Sequence, residues 1–154
     1  MITPWPILGP MTSKEGPPTR SWGQWFSALR DGVNASPQVT GEVALTAQQA
    51  SISATALPLP ALTNCCVRVS VFSRITRPAT TSSSVQVTIG GTDGGVAYPL
   101  VGTALTGNTT ATVGSQTWVV SADAGSSVTY AVSYSSVGAT AAQFGLTIIG
   151  EVLP

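Results

Sequence analysis

VRVSVF, residues 67–72, sets valine at every second position, with Arg68, Ser70 and Phe72 filling the gaps. Successive side chains of an extended chain point to opposite faces, so this alternation describes a strand with one buried and one outward face. The same period returns in Val85-Gln86-Val87-Thr88-Ile89, in Val128, Tyr130, Val132 and Tyr134, and in Phe144, Leu146 and Ile148. Further strands are read at Val39, Val43 and Leu45, at Ile52, and at Trp118-Val119-Val120. Turn-forming clusters part them: LPLPAL at 57–62, GGTDGG at 90–95, TGN at 106–108, DAGSS at 123–127 and SVGAT at 136–140. About seven or eight strands at this rhythm predict an all-β domain over residues 37–154. The expected architecture is an antiparallel β-sandwich, with a jelly-roll connection as one way to wire it. No fixed-period repeat suggests a solenoid or propeller.

The chain upstream reads differently. Residues 1–20 hold five prolines, at positions 4, 6, 10, 17 and 18, which remove backbone donors and fix φ. An extended N-terminal arm is expected there, with Trp5, Ile7, Leu8 and Met11 as apolar contacts to offer. The following TRSWGQWFSALRDGVN, residues 19–34, has a start signal at Thr19 or Ser21. Trp22, Trp25, Phe26, Leu29 and Val33 then recur at helical spacing, predicting one short amphipathic helix over 21–34 that Gly32, Asn34 and Pro37 stop. An isolated helix of this length is marginal in water, so its indole-rich stripe needs a cover. That cover is the chain's own β domain, the same helix of other subunits, or another protein. Trp5, Trp22, Trp25, Phe26, Leu29 and Val33 are therefore the expected assembly interface.

Charge narrows the partners. Charged residues make up 8% of the chain, against about 25% in an ordinary globular protein, and six cations balance six anions. No long-range field draws nucleic acid, anionic lipid or an acidic substrate. A chain without net charge lacks the repulsion that keeps monomers apart, so a homo-oligomer such as a trimer is expected. Between Val43 and Gly150 only Arg68, Arg74, Arg77, Asp93 and Asp123 are charged, and there is no lysine, the residue that most often blunts a strand edge. Loops or other subunits are expected to cover those edges. A fold of this length buries roughly 68–70% of its unfolded surface, so a core forms without staples. No apolar run reaches the ~18 residues of a spanning helix, and the N-terminus shows no basic-then-apolar leader. The expectation is a soluble polypeptide that neither inserts in a membrane nor is exported by a visible signal.

Chemistry finds few residues to work with. Histidine is absent and Lys14, the single lysine, lies in the proline-rich arm, which argues against Ser-His-Asp, Cys-His and Ser-Lys nucleophiles. Glu15, Asp31, Glu42, Asp93, Asp123 and Glu151 fall mostly in the arm, at the helix end or in turns, which does not suit a paired-carboxylate site. The glycine-rich GGTDGG lacks the Gly-Lys-Ser/Thr and following helix of a phosphate cradle and reads as a hairpin turn. Asp93 alone is too little for a calcium loop. Cys65 and Cys66, adjacent on one strand, point apart and read as free thiols, with an intersubunit disulfide as the alternative. Arg68, Arg74 and Arg77 suit either ion pairing along a strand or an anion or partner carboxylate. Trp118, Tyr98, Tyr130 and Tyr134 suit either core packing or a sugar-stacking surface. No catalytic, cofactor-binding or metal-binding residue is assigned, and the chain is not expected to be an enzyme.

TRPATTSSSVQVTIGGTDGG and LTGNTTATVGSQTWVVSADAGSSVTYAVSYSSVGATAAQFGLTIIGEVL, preceded by SWGQWFSALRDGVN, together resemble small virion structural proteins of tailed bacteriophages across residues 19–153. The resemblance implies a tail fibre, a fibre adaptor or a head decoration protein, assembled in bacterial cytoplasm, with no cofactor. Its implied partners are other copies of the chain and other phage structural proteins. A carbohydrate-binding module that recognises a host surface glycan is the alternative from another class.

Overall fold

The computed structural model describes Ser27 and residues 39–153. The arm expected over 1–20 and the helix expected over 21–34 lie outside the described residues, Ser27 apart, as do Trp5, Trp22, Trp25, Phe26, Leu29 and Val33. Residues 39–153 form one compact unit built of strands alone. The strands are β1 (Val39–Gln48), β2 (Ile52–Ala56), β3 (Cys65–Arg77), β4 (Ser82–Asp93) and β5 (Val96–Val101). They continue as β6 (Leu105–Thr106), β7 (Val113–Ala122), β8 (Thr129–Val137) and β9 (Gln143–Val152).

The strands hydrogen-bond in the order β1-β9-β3-β7-β4-β8-β2, with β5 and β6 also on β4. One arm of this sheet is β1-β9-β3-β7 and the other is β2-β8-β4 with β5 and β6. Every pairing within an arm is antiparallel. The arms meet through a single parallel pairing, Thr92 with Ala122. The expectation of an antiparallel assembly therefore needs one correction: the sheet is mixed and curls into a half-barrel. Right-handed twist rotates adjacent strands by about 20–25°, which brings β4 beside β7 at one end and parts them beyond it.

Alternation decides what the curl encloses. Val67, Val69, Val71 and Ile75 of β3, Val120 of β7, and Phe144, Leu146 and Ile148 of β9 turn inward from the first arm. Val85, Val87 and Ile89 of β4, with Tyr130 and Val132 of β8, meet them from the second. The Tyr134 and Phe144 rings lie 5.5 Å apart across this space. Removing such side chains from water contributes about 1.5–3 kcal/mol each, which is what closes the sheet on itself.

Side chains seal the seam where β4 and β7 diverge. The Ser121 N–H donates to the Tyr98 hydroxyl (2.7 Å), which donates to the Ser121 carbonyl (2.9 Å). The Gln116 amide performs the same double pairing on Thr103, accepting from its N–H at 2.7 Å and donating to its carbonyl at 2.9 Å. Backbone groups that lose their ladder partners need others, and these two side chains supply them where the ladder stops. LPLPAL then covers one end. Leu57 and Leu62 drop into the core, while Pro58 and Leu59 cross over the paired glycines Gly41 and Gly150. A Cβ at position 41 would lie 2.6 Å from the Pro58 carbonyl oxygen, so only glycine lets the crossing sit that close.

Candidate functional site

The sequence singles out three groups of polar or aromatic residues, and the fold separates their members. Arg68 and Arg74 share the outward face of β3, but Arg68 pairs with Glu151 at 3.3 Å. Arg77 at the strand end donates through Nε (3.2 Å) and Nη2 (3.0 Å) to the Ala141 carbonyl and ties the end of β3 to the β8–β9 loop. Among the described residues Arg74 has no ion-pair partner. The three arginines therefore form no joint anion site.

The aromatic set turns inward. Tyr130 is buried, Trp118 and Tyr98 pack against the core, and the Tyr134 hydroxyl donates to the Ala142 carbonyl at 2.7 Å. Core packing is the reading the structure supports, and no sugar-stacking surface of Trp118 and the tyrosines forms. Cys65 is half-buried and Cys66 outward, both free, as the strand period requires.

GGTDGG is a hairpin, with the turn itself at Gly94 and Gly95. Both have positive φ, 58° and 78°, the mirror-image turn that matches strand twist. Asp123, from the DAGSS turn, accepts the Gly94 N–H on Oδ1 (3.1 Å) and the Gly95 N–H on Oδ2 (2.8 Å). Its carboxylate thereby serves the scaffold. Among the described residues no three of His, Cys, Asp and Glu converge as metal ligands, and no helix is long and apolar enough to cross a membrane.

Sequence reasoning did not single out two surface features. The first is a depression of about 350 Å³ on the outward face of the first arm, between β3, β9 and the bulged end of β1. Phe72, Arg74, Thr76, Gln143 and Gly145 line it, with Ala47 at its rim in a left-handed conformation (φ 55°). The second is the opposite outward face. No charged residue occurs in β2, β5 or β8, nor in β4 before Asp93, so every charge on a strand except Asp93 belongs to the first arm. Ala54, Thr88, Pro99, Thr129 and Ala131 border a shallow groove of about 360 Å³ there. Compared with known proteins, the chain matches no family model and no curated sequence.

Proposed function

We propose that the chain is a structural component of a bacteriophage particle, tail-associated as a fibre or fibre-anchoring protein and attached through residues 1–34. The observation that carries this reading is the charge-free outward face of β2, β8, β4 and β5. A face left in water normally mixes charges of both signs, which keep monomers apart. An uncharged face of small residues, with Val101 and Val137 exposed on it, instead suits close packing against another subunit, and the edges beside it carry no lysine. On this reading the β unit is a self-associating module and the Trp-rich leader its attachment.

The strand wiring supports the finer reading of the half-barrel as a jelly-roll sandwich. One arm holds β1, β9, β3 and β7, the other β2, β8, β4, β5 and β6, and the chain crosses between them at every connection except those joining β4, β5 and β6. That order nests two Greek keys, an architecture recurrent in viral capsid and lectin domains. Decoration of the capsid shell is the second reading, since the same uncharged face suits lying against a shell.

Imaging of particles carrying a tagged chain tests the choice: density at the tail is expected, and density on capsomers favours decoration. Deleting residues 1–35 is expected to leave a folded β unit that no longer enters particles. Normal incorporation of the truncated chain overturns the anchoring role.

A further inference from the structure

We infer that the depression beside Phe72 and Arg74 binds a carboxylate-bearing sugar. The inference stands apart from the particle reading, because it rests only on this surface.

Three independent features coincide there. Among the described residues Arg74 is the one outward arginine of β3 without an acid beside it, whereas Arg68 on the same face is paired. A guanidinium offers a planar fork that holds a carboxylate through two parallel hydrogen bonds. Thr76 carries a buried Oγ1 with no hydrogen-bond partner, the single such side-chain atom among the described residues. Its Cγ2 lies toward Gly145, 3.5 Å from where a Cβ there would be. A buried hydroxyl without a partner calls for an explanation, and here it belongs to a residue that lines the depression. Ala47, a non-glycine residue at φ 55°, holds the bulge of β1 that opens the space, and backbone strain of this kind concentrates at binding sites.

The lining selects the ligand class. Phe72, 45% exposed, presents a ring to the apolar C–H face of a sugar. Thr46, Gln143 and Thr147 also line the depression, and residues of these types can hydrogen-bond ring hydroxyls. A bare carboxylate would use Arg74 and leave the rest idle, and a neutral sugar would leave Arg74 idle. The volume of about 350 Å³ lies at the lower end of small-molecule sites, roughly 300–1,000 Å³, and suits one sugar unit.

Titration of the full-length chain by NMR with D-glucuronate, D-glucose and acetate tests the inference. Glucuronate is expected to shift the Phe72, Arg74 and Thr76 resonances saturably, with glucose and acetate each at least tenfold weaker. Gly145→Ala is the decisive variant. Its methyl meets its nearest neighbours at 3.4–3.9 Å, ordinary contact, so the fold survives while the floor of the depression fills. It and Arg74→Gln are expected to weaken glucuronate at least tenfold, and Arg68→Gln to leave it unchanged. No saturable shift with glucuronate overturns the inference, as does undiminished binding by a folded Gly145→Ala chain. Acetate binding as tightly as glucuronate reduces the site to a simple anion contact and overturns it equally.

Discussion

Gly91 lies where the sheet folds over, facing inward beneath the ring that seals the seam. A Cβ at this position would stand 2.5 Å from Val120 Cγ1 and 2.7 Å from the Tyr98 hydroxyl oxygen. Neither neighbour is free to yield, since Val120 is fully buried and the Tyr98 hydroxyl is held at both ends by Ser121. Gly91→Ala is therefore expected to cost about 1–3 kcal/mol, the usual penalty of an overfilled core. Chemical denaturation reads the loss. A change below a few tenths of a kcal/mol would show that the seam tolerates movement. Gly94 and Gly95, three and four residues on, are constrained by conformation instead, with open space around a Cβ but positive φ. Gly91 and the Gly94-Gly95 pair of one motif thus serve two different physical needs.

At the scale of elements, the β4–β5 hairpin depends on a residue about thirty positions away. Asp123 holds its tip through two backbone N–H groups, and hydrogen bonds to an ionised acceptor are stronger than neutral ones. Asp123→Ala is expected to cost about 1–2 kcal/mol, less than a buried charged bond because the tip is exposed. Hydrogen exchange should show Gly94 and Gly95 losing protection while amides in the β3–β9 ladder keep theirs; unchanged rates at the tip would remove Asp123 from this role. This is also the scale at which the sequence was legible and then stopped being so. Alternation of valine with polar residues placed β3, β4, β8 and β9, because burial on one face leaves a period that local reading detects. β5 escaped, since Pro99 reads as a strand breaker. In the fold it lies on an edge strand, where a missing donor costs nothing in the ladder. The parallel pairing of Thr92 with Ala122 leaves no local mark. Nor could sequence separate Arg74 from Arg68 and Arg77, whose partners Glu151 and Ala141 lie 83 and 64 residues downstream. The candidate site was invisible for that reason: it consists of what remains unpaired after long-range pairing is complete.

For the whole molecule, the question is whether two arms joined by one parallel pairing behave as one folding unit. The core answers it. Phe144 of β9 is fully buried and packs on Tyr134 of β8, so a single side chain belongs to both arms at once. Neither arm has an inner face that water could cover cheaply, because each lines its side of the same apolar space. Partial opening would expose both faces together, which makes unfolding all-or-none. In residues 39–153 Trp118 is the only tryptophan, and it sits on the first arm at β7, so its fluorescence reports that arm while far-ultraviolet circular dichroism reports all strands. The two signals are expected to fall along one coincident denaturation curve for this fragment. Phe144→Ala should lower stability by about 3–5 kcal/mol, a large share of the ~5–15 kcal/mol available to a domain, and should move both curves by the same amount. Separation of the curves, with Trp118 changing at a different denaturant concentration from the strands, would mean that the arms fold independently and that the shared core does not bind them.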